Sequence, residues 1–206
     1  MSVFLFLCLF SEHRKKMRQF VLYARKASTG PDFPLEDLPG RGGRMDVVAR
    51  CISSALWISH GLRRDTCIHI VAYGPPKPPV VISFYGDRLR KVSPDERSIA
   101  IWIKKVLSSK KNPGITIRRI GFQTLIDELA AEGAFFYILH EKGADIQKIS
   151  LRQNAVFIIG DHIGLPEKEE RYVTRFPHER ISLGKIPYFA SQCITIIHYL
   201  LDRMSA

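Results

Sequence analysis

Residues 135–140, FFYILH, form an almost unbroken apolar run that decides the fold class of this 206-residue chain. A strand with one solvated face alternates apolar and polar side chains, whereas a strand covered by helices on both faces is apolar throughout. The run therefore predicts an inner strand of a parallel sheet. A second run of this kind is Val156–Gly160, and Ile181–Leu183 is a third, shorter strand before the final helix.

Helical and extended patterns alternate along the rest of the chain. Strands are predicted at Phe20–Arg25, Cys67–Tyr73, Val80–Tyr85 and Ile115–Ile120. Helices are predicted at Met45–Ser59 with Gly61 as its end, at Ser93–Lys110, at Phe122–Glu132 with Gly133 as its end, and at Ala190–Met204. This alternation is typical of the α/β class, and it predicts a mostly parallel sheet flanked by helices.

The start of the second helix is predicted from a capping motif. Ser93 can cap the helix, Pro94 suits the first helical position, and Glu96 completes a capping box.

Charge is distributed unevenly. The net charge is +11 and the sequence pI is about 9.7, and residues 1–119 carry all of the basic excess. This distribution suggests that the basic half contacts a polyanion and that the nearly neutral half has a different function. A solvated basic surface that keeps the protein soluble is the alternative reading.

The N-terminal residues and the cysteines indicate the cellular location that we expect for the protein. Residues 3–10, VFLFLCLF, are too few to span a bilayer, and their charges follow the apolar run instead of preceding it as in a signal peptide. We expect residues 1–16 to be an extension or a start codon assigned too early, followed by a single domain at 17–206. The cysteines have no zinc-ligand spacing and read as free thiols of a cytoplasmic protein, with no membrane contact.

Three loops follow the predicted inner strands, and each carries glycine at or near its turn. They contain Glu141–Gly143, Gly160–Pro166 and the stretch 183–193, LGKIPYFASQC. In open α/β sheets, ligands bind beyond the carboxyl ends of the strands. Glycine at such a turn lets the backbone bend sharply or approach a ligand closely.

Other chemistries leave no signature in the sequence. GxGxxG, GxxxxGK[ST], HExxH and GxSxG are all absent, and the scattered histidines predict no metal site. Cys193 lies in the first turn of the last helix, where a thiol can act as a nucleophile. No basic partner adjoins Cys193 in sequence, so we expect a small packing residue beside a ligand.

Seven segments together resemble one known family. They are FVLYARKA, DLPGRGGRMDVVARCISSAL, SHGLRRD, GPPKPP, SPDERSIA, IGDHIGLP and LGKIPYFASQCITIIHYLLDR. From Met17 to the C-terminus, the chain resembles the archaeal tRNA pseudouridine N1-methyltransferases, a branch of the SPOUT methyltransferases.

The resemblance implies a SPOUT fold whose C-terminal chain forms a trefoil knot and holds S-adenosylmethionine (SAM) in the knot loops. The residues implied to line that pocket are Leu139, Gly160, Leu183, Gly184, Lys185, Ile186, Pro187, Tyr188 and Cys193.

The implied reaction transfers the methyl group of SAM to N1 of pseudouridine 54 in tRNA. A carboxylate could accept the N1 proton, or an arginine could stabilise the anionic base. The candidates are Asp46, Asp65, Arg25 and Arg63. Asp46 could equally be a first-turn helix charge and Asp65 a turn residue.

The same resemblance implies a homodimer that binds tRNA. Ile194, Ile197, Leu200 and Leu201 of the last helix could supply the apolar interface, although burial in the chain's own core explains their spacing as well. Two alternatives stay open: a related enzyme acting on ribosomal RNA, and a non-catalytic RNA-binding protein of the same fold.

Overall fold

The computed structural model describes residues 17–152 and 154–204, so the predicted extension at residues 1–16 lies outside the described residues. The strands in this part are β1 (Arg18–Ala24), β2 (Trp57–Ile58), β3 (Gly61–Leu62), β4 (Thr66–Ala72), β5 (Val80–Tyr85), β6 (Ile115–Arg118), β7 (Phe135–Asp145), β8 (Ala155–Gly160) and β9 (His178–Ser182). The α-helices are α1 (Met45–Leu56), α2 (Glu96–Leu107), α3 (Phe122–Ala131), α4 (Glu167–Val173) and α5 (Ala190–Met204).

Seven strands form one sheet in the order β6-β5-β4-β1-β8-β7-β9, and β2 pairs with β3 in a separate hairpin. Strands β4, β1, β8, β7 and β9 run parallel to one another. Strands β5 and β6 add an antiparallel edge. The predicted α/β class with a mostly parallel sheet is therefore confirmed.

Helices cover both faces of the sheet, and β1 shows how the sequence directs this. Phe20 and Leu22 point to the core shared with α1, α2 and α5. Val21 and Tyr23 point to the opposite core, built with α3 and Val173 of α4. Because successive side chains of a strand face opposite sides, a strand that is apolar at every position seals two cores at once.

Helix α1 begins at Met45 as predicted, but its C-terminal end differs from the prediction. The helix ends at Leu56, and Gly61 does not terminate it, because Trp57–Ile58 leaves the helix to pair with Gly61–Leu62 in the short hairpin. Gly133, by contrast, follows the end of α3 with a φ of 81°, as expected for a glycine just past a helix.

The predicted capping box of α2 is wrong. The helix begins at Glu96, and its N-cap is Asp95, whose carboxylate accepts a hydrogen bond from the backbone N–H of Ser98 at 2.7 Å. Asp95 is the better cap because its charged oxygen also complements the positive end of the helix dipole. The carbonyl of Pro94 is used elsewhere, as the acceptor of the Ser53 hydroxyl.

Helix α4 was not predicted, because its sequence EKEERYV shows no apolar periodicity and buries only Val173. Strand β9 begins at His178 and ends at Ser182, earlier than predicted, since its polar first residues pair with the edge of β7. Strand β7 extends past the apolar run to Asp145 through an irregularity between Leu139 and Ala144.

Helix α5 matches its predicted bounds, and its apolar face belongs to the chain's own core. Ile194 and Ile197 are fully buried there, and Leu200 and Leu201 pack against the same cluster. Within residues 17–152 and 154–204, no helix combines the length and the apolar character needed to cross a bilayer.

Candidate functional site

The loops after β1, β8 and β9 emerge at the same edge of the sheet, the carboxyl edge of its five parallel strands. Tyr23 of β1 pairs with Gly160 of β8, and the N–H of Asp161 then donates to the carbonyl of Tyr23 at 3.1 Å. Leu139 of β7 lies beside Ile181 of β9 at the same level. The predicted cofactor-lining residues therefore share one edge and the start of α5.

The β8 loop folds back so tightly that only glycine fits at its start. A Cβ on Gly160 would lie 2.3 Å from both the carbonyl carbon of Gly164 and the backbone nitrogen of Leu165. Asp161 closes the turn by accepting the N–H of Ile163 on its Oδ1 at 2.9 Å. The side chain of Ile163 is left exposed.

Arg25 is fixed against this loop at two points. Its backbone N–H donates to Oδ2 of Asp161 at 2.8 Å, and its Nη2 donates to the carbonyl of Gly164 at 3.0 Å. The Nε of Arg25 is buried and has no hydrogen-bond partner within the described part of the chain. A buried donor without an acceptor is costly, so this atom marks a place where a bound molecule could supply one.

Asp46, at the start of α1, holds two arginines. Its carboxylate accepts hydrogen bonds from Arg44 at 3.0 and 3.1 Å and from Arg50 at 2.6 Å, and its side chain is only 6% exposed. Burial raises the pKa of Asp46, but the hydrogen bonds and charges of the two arginines outweigh it and lower the pKa below its usual value. Asp46 is therefore a firmly ionised anchor and a weak base.

Arg44 connects this anchor to the β8 loop. It adopts a left-handed φ of 65°, which is uncommon for a residue with a side chain, immediately before α1. Its pKa is raised by the hydrogen bond to Asp46 and further by the charges of Asp46 and Asp161. Arg25, Arg44, Asp46 and Asp161 thus form one electrostatic group at the carboxyl edge.

The β9 loop presents apolar side chains that the described chain leaves uncovered. Ile186, Tyr188 and Phe189 are 63%, 42% and 76% exposed, respectively. Gly184 has a φ of 107°, and no atom lies within 4 Å of the position that its Cβ would occupy. A bend of this hand suits glycine, and the open space beside it gives a ligand room to approach the backbone.

Cys193 lies under this loop and is protonated at neutral pH. Burial raises the pKa of its thiol to about 11, and its Sγ approaches the carbonyl of Tyr188 at 3.7 Å. The thiolate, not the thiol, is the nucleophile. The geometry therefore favours the packing role for Cys193.

The structure does not bring Arg63 and Asp65 to the carboxyl edge. Both precede β4, so they lie at the amino edge, about 20 Å away along a seven-residue strand. Arg63 donates two hydrogen bonds to Asp202 at 3.0 and 2.7 Å. Asp65 pairs with Arg18 at 3.2 Å, and Arg18 also contacts Asp202.

His198 of α5 completes this amino-edge network. Its Nε2 lies 3.0 Å from the carbonyl of Ala55 and its Nδ1 lies 3.3 Å from Nη1 of Arg18. Burial lowers the pKa of His198 to about 4, helped by the charges of Arg63 and Arg18. The neutral ring, protonated on Nε2, is therefore the form that suits both contacts.

Arg44 and Asp161 are not among the predicted catalytic or cofactor-binding residues, although both lie in segments that the sequence singled out. The signal for Asp161 is its place directly after the buried strand β8. The signal for Arg44 is its place between two glycines and the first turn of α1. In the part of the chain that the structure describes, no three histidine, cysteine or acidic side chains converge to hold a metal ion.

Comparisons with known proteins agree with one another. Residues 17–206 match a family described as SAM-dependent RNA methyltransferase. A relative from Methanocaldococcus jannaschii, named tRNA (pseudouridine(54)-N(1))-methyltransferase, is 46% identical over 200 residues, which cover 91% of this chain and 97% of the relative. A relative of the same name from Methanococcus aeolicus is 44% identical over 200 residues, covering 91% of this chain and 98% of the relative.

A solved structure shares the fold at low sequence identity. The crystal structure of Archaeoglobus fulgidus Nep1 bound to S-adenosylhomocysteine aligns with a TM-score of 0.64 and 14% identity, and the alignment covers 91% of this chain and 98% of that chain.

Proposed function

The chain belongs to the family of SAM-dependent RNA methyltransferases, and on that premise we propose that it methylates N1 of pseudouridine 54 in tRNA. SAM is its cofactor and supplies a methyl group on an electrophilic sulfonium. The observation that carries the proposal is the meeting of the β1, β8 and β9 loops at one edge, with Arg25 held between the first two.

The residues at this edge fit SAM. The open space beside Gly184 and the uncovered apolar side chains of Ile186 and Tyr188 suit a flat, largely apolar adenine ring. The run Leu183–Tyr188 with Lys185 and Pro187, together with Leu139, Gly160 and Cys193, would then form the walls of the pocket. Cys193 would contact the cofactor as a neutral thiol.

Arg25 is the residue that we assign to the target base. Pseudouridine must lose the proton on N1 before that nitrogen can attack. We assign this proton to solvent water, and the base then carries a negative charge until the N1–methyl bond forms and the sulfonium–methyl bond of SAM breaks. A guanidinium that is already oriented stabilises such an anion without reorganising during the reaction. The unpartnered Nε of Arg25 supports this assignment, because it is a buried donor with no acceptor among the described residues.

Asp46 is assigned to positioning instead of proton transfer. A carboxylate with a lowered pKa binds protons poorly, and both oxygens of Asp46 are occupied by arginines. Its role would be to hold Arg44 beside the β8 loop. Asp65 and Arg63 are assigned to the amino-edge network that joins α5 to the sheet, outside the reaction.

The finer features of the fold are part of the same proposal. We propose that the β9 loop and α5 form a trefoil knot of the SPOUT type and that the domain spans residues 17–206. The protein would act as a homodimer, since Phe189 and Tyr199 leave large apolar side chains exposed at one end and along one face of α5. The free thiols of Cys51 and Cys193 suit a cytoplasmic location.

Methyl transfer from labelled SAM to two matched tRNA transcripts tests the function. One transcript would carry pseudouridine at position 54 and the other uridine. We expect label only on the pseudouridine transcript. If neither transcript were labelled while the protein still bound SAM and labelled ribosomal RNA, the substrate would be ribosomal RNA instead of tRNA.

A further inference from the structure

A second concave surface lies at the opposite end of the sheet from the site. It is a cavity of about 540 Å³ whose lining includes Trp102 and five cationic residues, and we call it the distal basic pocket. The cations are Arg90, Lys91, Lys105, Lys110 and Lys111. No acidic residue lines it.

Hydrogen bonds from side chains hold the backbone around the pocket in place. Trp102 of α2 donates its Nε1–H to the carbonyl of Lys91 at 2.6 Å. The buried side chain of Asn112 donates to the carbonyl of Arg90 at 2.8 Å and accepts the N–H of Gly114 at 3.0 Å. These bonds fix the loop after β5 and the loop before β6 on either side of the cavity.

The end of α2 directs two of the cations. Ser109 has a left-handed φ of 69°, and the N–H of Lys110 donates back to the carbonyl of Lys105 at 2.9 Å. This hydrogen bond ends the helix in the manner of a Schellman motif and turns Lys110 and Lys111 toward the cavity. Their charge also suits the negative end of the helix dipole, but this does not account for Arg90 and Lys91 on the other side.

None of the five cations forms an ion pair with a carboxylate in residues 17–152 and 154–204. Elsewhere in the basic half, Arg18, Arg44, Arg50 and Arg63 are each paired with an aspartate. Clustered like charges repel one another, and a polyanion relieves that repulsion while it releases its own counterions.

We propose that the distal basic pocket binds the sugar–phosphate backbone of the tRNA substrate outside the loop that carries the target base. The proposal rests on the proposed function and extends it to the body of the RNA. The pocket adjoins the end of β5, which lies at the amino edge of β4. It is about 25 Å from Arg25, counting one strand length and three strand spacings. An RNA loop held at Arg25 would therefore reach the pocket only through a neighbouring arm of the tRNA, which a hairpin of the T arm lacks.

The double variant Lys110→Glu/Lys111→Glu tests the pocket. Its matched control is Arg171→Glu/Arg175→Glu, which reverses the charge of two exposed arginines at the end of α4 and directly after it, away from the carboxyl edge. Steady-state methyl transfer would be measured with a full-length tRNA and with a hairpin of its T arm alone, and thermal unfolding would show that both variants are folded.

We expect the pocket variant to raise KM for full-length tRNA by about 10-fold or more, with kcat and SAM affinity unchanged. When the logarithm of its tRNA-binding constant is plotted against the logarithm of the salt concentration, the slope should be smaller by the amount expected for about two lost phosphate contacts. KM for the hairpin should stay at the wild-type value. The control variant should leave KM unchanged for both RNAs.

An unchanged KM for full-length tRNA would overturn the proposal, as would an equal rise in the control or on the hairpin. Filter binding of the tRNA by the same variants separates this inference from the proposed function. Loss of binding in the pocket variant alone would support the pocket even if the wild-type protein methylated neither transcript.

Discussion

The backbone N–H of Arg25 and the side chain of Asp161 are joined by a 2.8 Å hydrogen bond across 136 residues of sequence. The same carboxylate closes the β8 loop through the N–H of Ile163. Asp161 therefore sets the position of the residue that we assign to the base and the shape of the cofactor loop together.

Replacing Asp161 should disturb catalysis through this position. Asp161→Ala removes two hydrogen-bond acceptors, and we expect kcat to fall by about 10- to 100-fold while the free energy of unfolding falls by about 1–3 kcal/mol. Asp161→Asn keeps one oxygen acceptor and should recover much of kcat. If the two variants lost the same activity, the single acceptor that asparagine keeps would be insufficient to hold Arg25 and the β8 loop in place.

Arg25→Ala should lower kcat by about 100- to 1,000-fold, the loss typical of one missing donor to a developing anion. Because the anionic base would then lack its cation, the remaining rate should rise with pH beyond the range where the wild-type rate levels off. Arg63→Ala is the matched control, since Arg63 forms its bonds at the amino edge. It should reduce stability and leave kcat unchanged, and a comparable loss of kcat in both variants would contradict the assignment.

Gly184→Val should block the cofactor pocket. The new side chain would enter the open space beside the β9 loop, and we expect SAM to bind about 100-fold more weakly, which corresponds to about 2.7 kcal/mol. Gly133→Val is the control, because Gly133 also has a positive φ and open surroundings but lies at the end of α3. Calorimetry should show normal SAM affinity for the control, and equal SAM binding by the two variants would remove Gly184 from the pocket.

The stability of the protein should depend on the protonation of His198. Its pKa is about 4 in the folded chain, below the ordinary value of 6.5. Between these two values the unfolded chain binds a proton that the folded chain does not bind, so stability falls as pH decreases. The shift corresponds to about 3 kcal/mol lost between pH 6.5 and pH 4.

His198→Gln isolates this effect, because glutamine can donate and accept hydrogen bonds without titrating. Urea denaturation at several pH values should give a shallower decline for the variant than for the wild-type protein in that window. Identical slopes would mean that His198 is not the group responsible.

The sequence was informative wherever a single segment determined the outcome. The apolar strands β1, β7 and β8 predicted the parallel sheet, and the glycines after β8 and β9 predicted where its loops would turn. The capping of α2 was missed because Ser93 and Asp95 are both good caps, and only the packed chain selects between them.

Contacts between distant segments were beyond the reach of the sequence pattern. Arg25 and Asp161 meet only because β1 and β8 are neighbours, and strand order is a tertiary property. Arg63 and Asp65 lie in a basic segment, and their side chains could have stabilised an anion or accepted a proton. Both precede β4, however, and so they lie at the amino edge of the sheet, opposite the site. Helix α4 has a polar sequence, and Val173 alone anchors it fully in the core.

The link between Arg18 and Asp202 joins residues separated by 184 positions, near the two ends of the described chain. A ribosome must have made the 184 residues that follow Arg18 before that contact can form. Termination shortly before Asp202 would therefore release a chain that lacks the ion pairs joining its last helix to Arg18 and Arg63.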